Sequence, residues 1–133
     1  RNGALSDIYF NRSHDGGETW ADPDLRLCGG APGSASSTEP RICMQGETVH
    51  VAWKELASPA HDIHYRRSTD GGRSFGPIVR LDLGDFAGAS DSIDVELACE
   101  GALVAAVWSD ARNSASFAYD IYANFSSDGG ASW

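Results

Sequence analysis

Three stretches of this 133-residue chain align without gaps: Asp7–Trp20, DIYFNRSHDGGETW; Asp62–Phe75, DIHYRRSTDGGRSF; and Asp120–Trp133, DIYANFSSDGGASW. Each begins with Asp-Ile and continues into Ser-x-Asp-Gly-Gly-x-Ser/Thr-aromatic. The opening serines, Ser13, Ser68 and Ser126, recur at intervals of 55 and 58 residues. A lone Asp-Gly-Gly is a generic turn. Three copies behind three Asp-Ile pairs mark a repeat architecture.

A second echo runs between these copies. Gly46–Trp53 (GETVHVAW) matches Gly101–Trp108 (GALVAAVW), with glycine and tryptophan at the same spacing. Val49, Val51 and Trp53 alternate with His50 and Ala52, the period of a strand with two distinct faces. The second copy is apolar at both phases, as expected of a strand sandwiched between neighbouring sheets. Further short strands are predicted around Pro40–Met44 and Ile93–Cys99, at each Asp-Ile pair, and at Pro77–Leu83. Helical periodicity is absent. The predicted unit is therefore four antiparallel strands in about 55 residues, an all-β arrangement typical of a propeller blade. The expected division is 1–28 as the end of one blade, 38–83 as a complete blade and 92–133 as an incomplete one.

Chemistry explains the composition of the turn. Paired glycines at 16–17, 71–72 and 129–130 permit positive φ. Asp15, Asp70 and Asp128 can accept backbone N–H groups of the turn, and the serines can tie its other side. Trp20, Phe75 and Trp133 are expected to plug the gap between adjacent sheets. Calcium is a poor fit, because one carboxylate beside two glycines supplies too few oxygen ligands.

On these residues the whole chain resembles the BNR, or Asp-box, repeat proteins, a group that includes the sialidases. The resemblance implies a β-propeller with the boxes on the face opposite the active site. Ser13, Asp15, Gly17 and Trp20, with Ser68, Asp70, Gly72, Phe75, Ser126, Asp128, Gly130 and Trp133, are then structural. It also suggests a secreted or extracytoplasmic location. Sialidases share three arginines that clamp the substrate carboxylate, an aspartate acid/base, and a tyrosine nucleophile helped by a glutamate; a guanidinium fork suits the carboxylate. Here Arg41 alone stands in a comparable place. It lies in Glu39-Pro40-Arg41-Ile42, whereas the family motif reads Arg-Ile-Pro. Tyr119 and Glu39 can be cast as nucleophile and helper, but nothing in their spacing supports it. No catalytic set is assembled.

If the propeller reading holds, ligands would meet the loops at 29–39, 54–61, 84–92 and 109–119. These carry Glu39, Arg41, Lys54, Glu55, His61, Asp91, Asp94, Asp110 and Arg112. Glu39, Arg41, Asp110 and Arg112 are the ligand-binding candidates, with Asp110 and Arg112 equally able to brace their loop. Arg1-Asn2-Gly3 aligns with Arg112-Asn113-Ser114, two repeats later. His14, His50, His61 and His64 fall singly, and no metal or cofactor motif is present.

Apolar residues make up 41% and charged residues 22%, a globular balance. The longest apolar run, Ala102–Trp108, is too short to span a bilayer. No basic start followed by an apolar stretch is present, so no targeting segment is expected. The net charge of −9 disfavours nucleic acid and anionic membrane as partners. Cys28, Cys43 and Cys99 match no zinc pattern, and buried thiols are expected in preference to a disulfide.

A propeller needs about 4–8 blades to close. The chain is therefore expected to belong to a longer polypeptide, or to form a ring with identical copies by sharing a blade. Carbohydrate or protein are the remaining ligand classes. The favoured reading is a non-catalytic binding or interaction scaffold. The alternatives are a piece of a sialidase-like glycoside hydrolase and a self-assembling repeat module without ligand.

Overall fold

The computed structural model describes residues 5–114 and 118–133; the alignment of Arg1–Gly3 with Arg112–Ser114 falls partly outside them. Every regular element among the described residues is a strand: β1 (Tyr9–Phe10), β2 (Leu25–Arg26), β3 (Ser37–Gln45), β4 (Thr48–Leu56), β5 (His61–Ser68), β6 (Val79–Arg80), β7 (Ser92–Glu100), β8 (Leu103–Asp110) and β9 (Asp120–Ser126). They form three antiparallel sheets in chain order, β1–β2, β3–β4–β5–β6 and β7–β8–β9, none of them closed. The fold is all-β. The middle sheet has the expected four strands, but its last is shorter than Pro77–Leu83. Only Val79 and Arg80 pair, opposite Tyr65 and His64. Pro77 has no N–H to give a ladder.

Alternation along β4 places two apolar layers on opposite faces of the middle sheet. Val49, Val51 and Trp53 pack with Ile8, Leu27 and Cys28 of the first sheet's segment. Ala52, with Ile63 and Tyr65 of β5, packs against Val95, Ala106 and Trp108 of the third sheet. Trp53 is fully buried and Trp108 nearly so. At about 25 cal/mol per Å² and roughly 200 Å² each, every such tryptophan contributes up to about 5 kcal/mol.

The third sheet corrects one expectation. Val104, Ala106 and Trp108 are covered, but Leu103 and Val107, on the other face of β8, are exposed. Ile121 of β9 is 72% exposed, whereas Ile63, at the same place in the previous repeat, is at 0%. No sheet among the described residues covers that face.

The Ser-x-Asp-Gly-Gly turns are built alike three times. The serine Oγ donates to the aspartate Oδ1 at 2.6–2.7 Å and accepts the second glycine's N–H at 2.8 Å. The same aspartate accepts the N–H of Thr19, Ser74 or Ser132 at 2.9 Å and that residue's hydroxyl at 2.5–2.6 Å. Hydrogen bonds from Ser13 and Thr19 hold the Asp15 carboxyl well below the usual carboxylate range; those from Ser74 and Ser68 do so for Asp70, and those from Ser132 and Ser126 for Asp128.

The second and third turns also seat on the sheet before them. Phe75 meets Phe10 edge-on at 5.1 Å, and Trp133 meets Tyr65 edge-on at 4.9 Å. Arg67 donates to the Gly129 carbonyl at 2.9 Å across the same gap. A Cβ on Gly72 would come within 2.5 Å of the Phe10 ring, and one on Gly130 within 2.0 Å of the Tyr65 hydroxyl. Around Gly17 that space is open. Trp20 therefore departs from its expected role as a plug. It is 61% exposed, because no sheet among the described residues precedes the first.

The cysteines depart from expectation too. Cys43 and Cys99 form a disulfide between β3 and β7, with Cα atoms 6.1 Å apart. They stand one residue out of register in successive repeats, Cys43 opposite His50 and Cys99 opposite Val104 in their ladders, so they lie on opposite faces of matching strands and meet across the gap between sheets. Cys28 alone is a free, buried thiol, and its Sγ accepts the Ile8 N–H at 2.9 Å.

Two outcomes are expected. Gly17→Ala should cost about 1 kcal/mol for its left-handed backbone, whereas Gly130→Ala should cost roughly 2–4 kcal/mol because the clash with Tyr65 adds to the same strain. Urea unfolding of the two variants checks this; equal losses would contradict the seating. Reducing the disulfide, which closes a loop with a sequence separation of 56, should lower stability by about 4 kcal/mol. Unfolding with and without reductant measures it, and coincident curves would refute the link.

Candidate functional site

Strand direction sorts the connections into two ends. The β3–β4 and β7–β8 turns share one end with the Gly-Gly turns: Gly71 N–H donates to the Glu47 carbonyl and Gly129 N–H to the Ala102 carbonyl, both at 2.8 Å. The β4–β5 loop, the loop from β6 to β7 and the residues following β8 lie at the other end. That end carries the charged candidates.

Asp110 ends β8 and is buried. Its carboxylate accepts Trp108 Nε1 at 2.9 Å, Ser92 Oγ at 3.1 Å, the Arg112 N–H at 2.9 Å and the Arg112 guanidinium at 2.9 and 2.5 Å. Glu55, next to last in β4, is held in the same way, accepting Trp53 Nε1 at 2.9 Å and Ser37 Oγ at 2.8 Å. Burial acts to raise both carboxyls. The donors outweigh it: His64, Trp53 and Ser37 hold Glu55 down to about 2, and Arg112 and Trp108 hold Asp110 down to about 2. This Ser/Trp/acid arrangement is a second repeated device. Its sequence signal is the acid two residues after each tryptophan, in Trp53-Lys54-Glu55 and Trp108-Ser109-Asp110.

A third device ties down the loop after the fourth strand. Asp7 accepts the Gly33 N–H at 2.9 Å, and Asp62 accepts the Gly88 N–H at 2.9 Å. Arg26 pairs with Asp7 at 2.8 Å; Arg80 lies 3.6 Å from Asp62 and 2.9 Å from Asp82. Burial, chiefly, raises the Asp62 carboxyl. The aspartates of the first two Asp-Ile pairs, noticed in the sequence only as markers of the repeat, are thus loop anchors.

The four ligand-binding candidates do not converge. Arg112 spends its guanidinium on Asp110 and on the Leu83 and Asp82 carbonyls at 2.9 and 3.3 Å, and lies 4.3 Å over the Tyr122 ring. It braces the third sheet against the loop leaving the second. Arg41 pairs with Glu96 of β7 at 2.9 Å, and Glu39 with Lys54 at 2.5 Å. Arg41 and Arg112 share no acceptor. Glu39 and Asp94 occupy matching places in β3 and β7, each with positive φ, φ 56° and φ 55°, where the ladder register shifts. His64 packs edge-on against Trp53 at 6.0 Å.

Between the second and third sheets at this end lies a cleft of about 280 Å³ lined by Ala60, Ser90, Asp91, Ala111, Arg112 and Ser114. His61 closes one side, its N–H and Nδ1 at 3.0 and 2.8 Å from Asp91 Oδ1. The cleft offers hydroxyls, one carboxylate and the rim of a guanidinium. Among the described residues no three His, Cys, Asp or Glu side chains converge to hold a metal.

Comparison with known proteins returns no match to a family model, to a curated protein or to a solved structure.

Acid should unfold the protein through these carboxylates. Glu55 and Asp110 stay ionised in the folded state down to about 2, whereas their ordinary values are 4.5 and 3.8. Their contribution is therefore present above pH 4.5 and is lost as pH falls toward 2. Urea midpoints taken across that window should fall steadily. The double variant Glu55→Gln, Asp110→Asn should start lower and fall less, and an identical slope would rule these two groups out.

Proposed function

We propose that the chain is a segment of an Asp-box β-propeller and serves as a non-catalytic binding or interaction scaffold. The observation that carries this reading is the engagement of the charged candidates with one another. Asp110 is saturated by Trp108, Ser92 and Arg112, Arg41 is paired with Glu96, and Glu39 with Lys54. A carboxylate already accepting five hydrogen bonds is a poor acid, base or nucleophile, since acting would strip a buried charge of its partners. The propeller itself is supported by the recurrence of the turn, the four-stranded order of the middle sheet, and face-to-face stacking at the period of the repeat. A rigid sheet stack that ends in loops suits the display of a contact surface, and the acidic surface favours carbohydrate or a protein with basic side chains over polyanions.

A fluorogenic sialoside provides the test. The purified chain should release no fluorophore above the buffer rate, and Arg41→Ala should leave that null result and the thermal midpoint unchanged, because an exposed ion pair contributes little. Turnover by the parent chain that Arg41→Ala abolishes would overturn the scaffold reading in favour of a sialidase-like hydrolase.

A further inference from the structure

Three buried carboxylates stand side by side across the middle sheet. Glu55 of β4 pairs with Asp62 of β5 in the ladder, and paired side chains share a face. The β5–β6 ladder sets Arg80 opposite His64. One step on, the Leu81 N–H donates to the Ile63 carbonyl, which brings Asp82 opposite Asp62. Asp62 and Asp82 are each 1% exposed, and Glu55 is buried beside them. Asp62 is therefore the middle acid of the row. Like charges directly opposite one another destabilise a sheet, and removal from water adds to the cost.

Counter-charge in this row is short. Arg80 serves three carboxylates: its Nε lies 2.9 Å from Asp82 Oδ1 and 3.6 Å from Asp62 Oδ1, and its guanidinium pairs with Asp85 at 2.5 Å. Glu55 has its own donors in Trp53 and Ser37, with His64 3.5 Å away. Arg66, further along the same face of β5, is spent on the Leu27, Phe75 and Gly76 carbonyls. Arg112 reaches the Asp82 carbonyl but is committed to Asp110. Among the described residues, Asp62 Oδ2 and Asp82 Oδ2 are buried without a hydrogen-bond partner. A single proton relieves such an excess, because a protonated carboxyl becomes a donor. The middle acid also anchors a loop. Its Oδ1 accepts the Gly88 N–H at 2.9 Å, and a Cβ on Gly88 would come within 2.8 Å of the Ala57 carbonyl. Gly88 alone among residues 84–91 is buried, and Phe86 at the loop tip is 89% exposed. Beyond Gly88 the loop supplies Ala89, Ser90 and Asp91 to the cleft between the second and third sheets. A segment that buries so little surface opens ahead of the rest.

We infer that Asp62 is a proton-operated latch on the 84–91 loop: as a neutral carboxyl it holds the loop against the cleft, and as a carboxylate it leaves its seat and lets the loop open. Ionisation adds an uncompensated charge to the buried row. The new carboxylate reaches water at least cost by giving up the Gly88 bond, since the loop covers it with little apolar surface. Burial, aided by the Asp82 charge, holds the Asp62 carboxyl above its ordinary 3.8, against the opposing pull of the Gly88 N–H, Arg80 and His64. The closed form thus binds the proton more tightly than the open one. Closure is fully favoured below 3.8 and is lost as pH rises through the raised value, the reverse of the trend set by Glu55 and Asp110. His61 ties the far end of the loop through Asp91 and is the other titratable partner that the loop meets. The inference goes beyond the scaffold reading and would survive its loss, since it involves no ligand.

NMR of the oxidised chain is the test, following the Asp62 carboxyl carbon and the exchange protection of the Gly88 amide as pH rises. The carboxyl should titrate above 3.8. Gly88 protection, corrected for intrinsic exchange, should fall through the same window. The fall should be about tenfold for each unit by which the midpoint exceeds the ordinary one, because the open loop returns the carboxyl to water. Asp62→Asn keeps the acceptor and stays neutral, so its Gly88 protection should no longer vary with pH. Asp82→Asn removes one facing charge and should lower the Asp62 midpoint; an unmoved midpoint would exclude the pairing. A midpoint at or below 3.8 overturns the inference, as does protection that stays flat while Asp62 titrates. Protection that falls equally in Asp62→Asn assigns the release to His61 and overturns it too. The titration of the parent chain needs neither variant, so it decides the matter even where one fails to fold.

Discussion

The structure depends on the seating of the second and third Gly-Gly turns on β1 and β5 of the sheets before them. Tyr65 illustrates the constraint. Its ring is edge-on to Trp133, and its hydroxyl lies 2.7 Å from His50 Nδ1 and directly over the Gly130 backbone. Burial pushes the phenol up to about 12, so it stays a neutral donor and acceptor in this gap. Any side chain at Gly130 would wedge the sheets apart. The turn thus has two tasks with different requirements. Positive φ closes the hairpin, and a bare Cα lets the next sheet approach. Serine and aspartate serve the first, the second glycine serves both, and the aromatic fills what remains.

From that seating the rest follows in layers. Sheets held at one end by turns need a second tie at the other, and the repeated Ser/Trp/acid cluster provides it within the second and third sheets. Glu55 and Asp110 fix the indoles of Trp53 and Trp108, which are the largest side chains between layers. Arg80 and Arg112 then lash the loops down. The disulfide joins β3 to β7 along the first strands. Charged side chains at the loop end are therefore largely consumed by architecture. That is the ground on which we propose a scaffold.

Much of this was legible in the residues. The period, the strand order within a repeat and the hydrogen-bonding roles of Ser68, Asp70 and Gly72 all follow from local chemistry, because the turn satisfies itself within eight residues. Long-range facts were less accessible. The bond between Cys43 and Cys99 depends on how two sheets stack, and their separation of 56, one residue off the offset of the matching strands, turns them to opposite faces. The exposure of Trp20 and Ile121 depends on which sheets are neighbours, and local sequence carries no signal for that. Asp110 and Arg112 illustrate the limit at the candidate site. Their types suited either a brace or a ligand contact, and only the five hydrogen bonds into one carboxylate distinguish the two.

The seating of turn on ring is testable as a coupling between two side chains. Gly130→Ala and Tyr65→Phe, made singly and together, form a double-mutant cycle read by urea unfolding. Tyr65→Phe removes the oxygen that a Cβ at residue 130 would strike first. The account predicts that Gly130→Ala is at least about 1 kcal/mol less damaging in the Tyr65→Phe background. Strict additivity would mean that the turn and the ring do not meet, and the sheet-to-sheet arrangement described above would be wrong.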